Sequence, residues 1–412
     1  MRQQSNQVFF DLSLYGHHPT YIRHLINYWQ RQEFASTLDI VVLPEFFYAH
    51  ADVVALTAMD TQINFRPIKT VEAEKLKDRR SRVNRNLRNL QEWQLFQRYA
   101  RLLQADHCLM LYLDTCLLPL ALGMSFPCAF SGIYFRPTFH YSLFQAGAKP
   151  KRSLKVNLQT WRERFFIKRT LQNPQMQTLF SLDPLAVESL QQLCPNTDIV
   201  HLPDPVDVQT TAIDVASLRQ ALKIEAERQV FLLFGAITER KGVFKLLEAI
   251  TQLPAHLCER ICIALIGEAN PTIQTKLQAQ LDIIQQTLPV QFVTNFEYVE
   301  EPEVPGYFQL ADVVLAPYQR HVGMSGILLQ AAAAQKPVLS SDYGLMGEMT
   351  KRHQLGVTVN STQPAAIASG LRQLLTEESE RLYNPKSASK FAQANSSEHF
   401  AQVVGSKVLS HV

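Results

Sequence analysis

The sequence predicts an α/β protein of two doubly wound, Rossmann-like domains. Three observations lead there. In the first half of the 412 residues, apolar runs of strand length alternate with helical patterns. A proline- and aspartate-rich stretch, CPNTDIVHLPDPVDV (194–208), then interrupts the pattern. The alternation resumes beyond it. Strands alternating with helices read as a parallel sheet covered on both faces, and a break rich in turn formers reads as a domain boundary.

In the first half, QVFFDLSL (7–14) is the first strand, and GHHPTYIRHLINYWQRQ a loop running into a helix. TLDIVVL is the second strand. A basic amphipathic helix is expected over about 73–103, followed by strands at LMLYL, PCAFSGIYF and TLFSLD (178–183) and a helix at PLAVESLQQL. In the second half the strands are RQVFLLFGAI, RICIALIGEAN, VQFVTNF, DVVLAPY, KPVLSSD and LGVTVN. Helices fall at KGVFKLLEAITQL, TIQTKLQAQLDIIQQTL, PEVPGYFQLA, GILLQAAAAQ and PAAIASGLRQLLTEE, with FAQANSSEHFAQVVGSKVLSHV as one last helix. The expected domains are 1–195 and 196–390, with 391–412 as a terminal helix.

Composition sets the class. With 46% hydrophobic and 19% charged residues the chain can build sizeable cores, which excludes general disorder. The apolar run CLMLYLDTCLLPLALGMSFPCAF (108–130) is broken by Asp114 and Pro119. It reads as a strand, a cap at Asp114 or Thr115 and a short helix rather than a membrane span. The amino terminus has no charged-then-apolar signal pattern, so the expectation is a cytoplasmic protein, either soluble or peripheral on the inner face of the membrane. Six cysteines at irregular spacing, with no paired Cys or Cys/His pattern, read as small core residues, and no metal site is expected.

The net charge of +3 matters less than its distribution. Arg79, Arg80, Arg82, Arg85 and Arg88 cluster, and KPKRSLKVNLQTWRERFFIKR (149–169) is opposed only by Glu163. Such a positive face is a solvated helix surface, or it meets an anionic substrate or an anionic membrane surface. Nucleic acid is not expected, because no nucleic-acid module accompanies the charge.

Four stretches bear on chemistry. In LLFGAITERKG (232–242) a strand ends at Gly235, Thr238 can cap, and Arg240 and Lys241 bring cations to a helix start, an arrangement that suits a phosphate. In VGMSGILLQAAAAQKPV (322–338), Gly323, Ser325 and Gly326 precede an apolar helix. Small residues there turn backbone N–H groups toward an anion; Ser325 also reads simply as an N-cap, and the alanines 331–334 as tight packing against the sheet. His17 and His18, after Gly16, are surface or capping residues, or contacts to a sugar. Arg136, in GIYFRPTFHY (132–141) with His140, meets an acceptor phosphate or a surface carboxylate.

Taken in order, HLPDPVD (201–207), FGAITERKG (234–242), ALIGEA (264–269), FEYVEEPEVPGYFQLADVVLAPY (296–318), GILLQAAAAQKPVLSSDYGLMGE (326–348) and LGVTV (355–359) resemble the nucleotide-sugar domain of GT-B glycosyltransferases, family 4 in particular. The resemblance implies two domains facing a cleft, with the terminal helix crossing back onto the first. It implies that Lys241, with Gly235 and Arg240, binds the donor diphosphate, and that Gly323, Met324, Ser325 and Gly326 form the loop beneath the phosphates and sugar. Tyr298 and Val299 fall at the nucleotide base and Gln330 at the ribose. Gly16 matches the glycine loop after the first strand, and Asp114 falls near a cleft-facing position of the family. Asp114, His17 and Lys241 are the catalytic candidates, and Gly16, His18 and Arg136 the acceptor-side ones. The pattern departs from the family at Ala236, where an arginine is usual, and at Val322 and Gln330, where a glutamate pair is usual; His321 and Arg240 stand nearby. The implied function is retaining transfer from a nucleotide sugar to a glycan or lipid-linked acceptor, with no cofactor and no essential metal. The alternatives are a catalytically inactive GT-B partner of an active transferase, and a sugar-nucleotide epimerase.

Overall fold

The computed structural model describes residues 5–32, 34–76, 82–139, 154–208 and 214–408. The chain divides into two compact units, residues 1–205 with 397–412, and residues 206–396.

The first unit is a seven-stranded parallel sheet. Its strands are β1 (Asn6–Phe10), β2 (Thr37–Val42), β3 (Ile63–Pro67), β4 (His107–Met110), β5 (Ala129–Tyr134), β6 (Met176–Ser181) and β7 (Asp198–His201), in the order β3-β2-β1-β4-β5-β6-β7. Successive strand residues feed opposite faces, as the pleat requires. Val8 and Phe10 enter one core with Trp93, Phe96, Phe130 and Ile167, while Phe9 enters the other with Ile22, Trp29, Phe46 and Phe400. Burial on both faces is why β1, β2 and β4 read as continuous apolar runs.

Two strands escaped the sequence reading, and both are edges. β3, INFRP, is half exposed, and β7, DIVH, lies inside the stretch read as a boundary. The first unit therefore runs past residue 195 through β7 to Pro205, and the Tyr21 hydroxyl donates to the Asp204 carboxylate at 2.5 Å just before that point. The long basic helix is two helices, Thr70–Lys75 and Arg82–Leu102. Arg79 and Arg80 lie outside the described residues, as do His140 and residues 149–153. The rest of the second basic run forms the helix Leu154–Leu171.

The second unit is a six-stranded parallel sheet of β8 (Gln229–Phe234), β9 (Ile261–Ile266), β10 (Gln291–Asn295), β11 (Val313–Ala316), β12 (Val338–Ser341) and β13 (Gly356–Val359), ordered β10-β9-β8-β11-β12-β13. The helix Gly344–Arg352, between β12 and β13, was not foreseen.

The single terminal helix expected over 391–412 is corrected. Helix Pro385–Ala394 ends at Asn395, and a new helix, Ser397–Val408, begins after a bridge between Val206 and Ser396. The first packs on Gly326–Ala333 in the second unit. The second packs along His18–Gln32 in the first, where Gly405 lies so close to the Tyr28 ring that a Cβ would come within 2.4 Å. Among the described residues no helix is long and apolar enough to cross a membrane.

Each sheet reverses its order once, between β1 and β4 and between β8 and β11. In open α/β sheets, ligands bind at such switch points, outside the carboxyl ends of the strands.

Candidate functional site

At the first unit's switch point, β1 is followed directly by Asp11, which is only 2% exposed. Its carboxylate accepts from Ser13 N (2.9 Å) and pairs with His18 Nδ1 (2.8 Å). The His18 ring stacks on Phe135 and meets Tyr112 edge-on. Burial by itself would lower the His18 pKa, but the Asp11 charge and hydrogen bond, with Asp114, carry it above its usual value. Asp114 sits in the short turn Leu113–Thr115 after β4 and accepts from Phe135 N at 2.9 Å. Burial pushes its pKa up to about 6, against the pull of that N–H and of Arg136.

Asp11, Tyr112 and Asp114 line a cavity of about 340 Å³ whose other polar walls are Ser13, Arg85, Arg88, Asn89, Glu92 and Thr115. Glu92, on Arg82–Leu102, is 3% exposed and bonded to Arg88 at 2.6 Å; burial raises its pKa despite that partner. The arginine cluster is therefore partly spent on this acidic wall rather than presented as a free positive face. Carboxylates accept from hydroxyls and guanidiniums donate to them, so the cavity suits a polyhydroxylated ligand.

The histidine pair divides. His18 turns inward to Asp11, whereas His17 is exposed. Gly16 adopts φ +77° with open space where a Cβ would stand, so the turn demands glycine for its backbone alone. Arg136 is exposed and acts on Asp114 through its charge.

At the second unit's switch point the buried charge is a lysine. Lys241 is 5% exposed and sits beneath the Gly235 turn, where its ammonium donates to the Phe234 carbonyl. A Cβ on Gly235 (φ +84°) would lie 2.7 Å from Lys241 Nζ. Burial, then the Arg240 charge, lowers the lysine pKa to about 7. Gly242 (φ +78°) opens the helix Val243–Ile250, and a Cβ there would sit 2.1 Å from the Pro317 carbonyl, so the loops after β8 and β11 touch backbone to backbone.

Tyr318, after β11, ties these pieces together. Its ring lies under both Arg240 (5.3 Å) and Lys241 (5.5 Å), and its hydroxyl accepts from Ser325 Oγ at 3.1 Å. Ser325 also caps the helix Gly326–Ala333, accepting from Ile327 N. Exposed Arg240 reaches His321 Nδ1 (3.3 Å), whose Nε2 faces the Met324 carbonyl (3.0 Å). Arg240, Lys241, Met324, Ser325 and Gly326 are thus brought together, and Gly323 stands beside them, where a Cβ would lie 4.0 Å from His321 Nε2.

The remaining expected residues lie apart from this cluster. Val322 serves through its backbone, its carbonyl accepting from Leu345 N. Gln330 lines a separate cavity of about 20 Å³ with Asp207, Pro305 and Phe308. Tyr298, beyond β10, is 68% exposed and Val299 is buried. Ala236 is exposed in the turn where the family pattern has arginine. Sequence reading missed Asp11, Glu92 and Tyr318. The signal for Asp11 was an acid directly after an apolar strand, and for Glu92 an acid set between the apolar positions of a helix.

Residues 214–395 match the family model described as glycosyl transferases group 1. The uncharacterized glycosyltransferase of Methanocaldococcus jannaschii is 23% identical over 184 residues, 45% of each chain. The chain spans about half the length of the curated relatives it matches. Over the whole chain, sucrose-phosphate synthase from Thermosynechococcus elongatus superposes with a TM-score of 0.69 at 14% identity, covering 98% of both chains. Anabaena HepE in complex with UDP-glucose gives 0.65 at 13% identity, covering 99% of this chain and 100% of that one. The chain has the fold of the GT-B glycosyltransferases. Within that fold the group 1 match covers the second unit, the one that buries Lys241.

Proposed function

We propose that the protein transfers a glycosyl group from a nucleoside-diphosphate sugar to a hydroxyl of a glycan or lipid-linked acceptor, with retention at the anomeric carbon. The observation that carries this reading is the convergence of Lys241, Arg240 and the Ser325-capped helix mouth around Tyr318. A diphosphate there meets two cations at the positive end of a helix, and these stabilise the charge that grows on it as the glycosidic bond to phosphate breaks. Tyr298 supplies an exposed ring for the base. The complex of HepE with UDP-glucose makes a uridine nucleotide the first donor to test. In the first unit, Asp114 and the Asp11–His18 pair hold the acceptor hydroxyl. Asp114, with a pKa of about 6, is ionised at neutral pH and accepts that hydroxyl's hydrogen bond.

The test is calorimetric titration with UDP, GDP, ADP and their glucose conjugates, followed by product analysis with the donor that binds. Saturable binding of at least one nucleotide is expected, and binding of none overturns the reading. Ala236, Val322 and Gln330 favour a second reading, a GT-B protein that binds nucleotide without turnover. Tight nucleotide binding without transfer or hydrolysis across an acceptor panel would favour it.

A further inference from the structure

The helix Leu154–Leu171 has apolar residues on two opposite sides. Ile167 and Leu171 are buried in the first unit's core, whereas Leu158, Trp161 and Phe165 are 65%, 63% and 45% exposed. At about 100° per residue, these three fall within an arc of about 60°, opposite Ile167. The Trp161 and Phe165 rings stack on each other at 5.8 Å. Leu122, 65% exposed, adjoins the stripe, since the Arg169 guanidinium lies beside Gly123.

Cations border the stripe on both sides. Arg162 and Arg169 flank one edge and Arg164 and Lys168 the other, all exposed. The helix has one acid, Glu163, and it is turned inward, accepting from the Tyr134 hydroxyl (3.0 Å) and from Thr138 N (2.6 Å). The outward face therefore offers a Trp/Phe/Leu stripe, four cations and no carboxylate of its own.

We propose that this face docks on an anionic lipid surface, with Trp161 and Phe165 entering the boundary between headgroups and acyl chains. Apolar rings bordered by arginine and lysine are the design of a helix lying in a bilayer interface. A second copy of the same face would set cations against cations, so the charge selects an anionic partner. The inference goes beyond the transfer reading and is independent of it, because nucleotide binding in the second unit does not require this helix.

The test uses the full chain with vesicles of phosphatidylcholine alone and of phosphatidylcholine with about one-third phosphatidylglycerol. Of the three tryptophans, Trp29 and Trp93 are buried, so a change in emission reports Trp161. Expected with anionic vesicles are a shift of emission to shorter wavelength, lower quenching by iodide, and co-sedimentation that weakens as salt rises. Trp161→Ser with Phe165→Ser is expected to lower partitioning about 10-fold or more without changing the melting temperature, because both side chains are exposed. Trp161→Ser alone repeats the test with a smaller change in surface. Absence of binding to anionic vesicles overturns the proposal, as does unchanged partitioning of the folded variants. Trp161 already shielded in a vesicle-free dimer, or protected only by an acidic protein, also overturns it.

Discussion

Asp11, Glu92 and Asp114 stand at the first unit's switch point, and Lys241 with Arg240 at the second's. The sheets share the same reversal of strand order, yet the buried charges have opposite sign. The same force acts on both. Burial raises the Asp114 carboxyl to about 6 and lowers the Lys241 ammonium to about 7, so each sits close to neutrality. The glycine turns differ too: Gly16 is open where Gly235 wraps Lys241. One fold position thus buries carboxylates in one unit and an ammonium in the other.

The largest expected effect is at Lys241. Lys241→Met keeps the buried stem and removes the ammonium. Donor-dependent turnover is expected to fall about 100-fold or more, with nucleotide affinity falling alongside, while thermal stability is held or raised. Stability should respond because the lysine's folded pKa of about 7 lies below the ordinary 10.5. The unfolded chain then binds the extra proton between those values, so wild-type stability rises with pH across that window and is lowest below it. Diphosphate binding returns a counter-charge to the lysine. Titrations above pH 7 in buffers of different ionisation enthalpy should therefore show proton uptake, and Lys241→Met should abolish it. Uptake unchanged in the variant would mean that the lysine does not meet the phosphates.

Asp114 tests the other half of the comparison. Asp114→Asn keeps an oxygen for the Phe135 N–H but cannot carry charge. Transfer to acceptor is expected to fall about 10- to 100-fold, while nucleotide affinity stays unchanged. The folded pKa is raised here, from 3.8 to about 6, so the folded state holds the proton longer. Wild-type stability should therefore decline as pH rises from about 4 to about 6, and the variant should lose that slope. Equal loss of nucleotide affinity in this variant would break the division of labour between the switch points.

Legibility of the fold followed burial. β8 and β9 are apolar runs buried almost throughout and stood out from sequence, whereas β3 and β7, edge strands with few apolar residues, did not. The break at Asn395 was hidden because its causes are distant in sequence: Val206 N bonds the Asn395 carbonyl, and Ser396 bridges Val206. The site divides in the same way. Gly235, Lys241 and Ser325 belong to local strand–turn–helix patterns that sequence displays. Glu92 is significant only because the fold sets it against the β1 and β4 loops, and Tyr318 only because cations from the β8 loop settle over its ring.

The smallest expected effect separates the switch point from its surroundings. Tyr298 stands beyond β10, 68% exposed, with its hydroxyl pKa raised first by burial and then by Glu300, Glu301 and Glu268. On the proposed function, a ring so placed would offer stacking to the nucleotide base but no charge to the reaction. Tyr298→Ala is therefore expected to weaken UDP binding about 5-fold, near the low end for base stacking on an aromatic side chain, with turnover at saturating donor unchanged. Tyr298→Phe should bind as wild type, because the ring rather than the hydroxyl does the stacking. Calorimetry on the two variants decides it. A loss in the phenylalanine variant would assign the contact to the hydroxyl, and no loss in either would place the base elsewhere on the second unit.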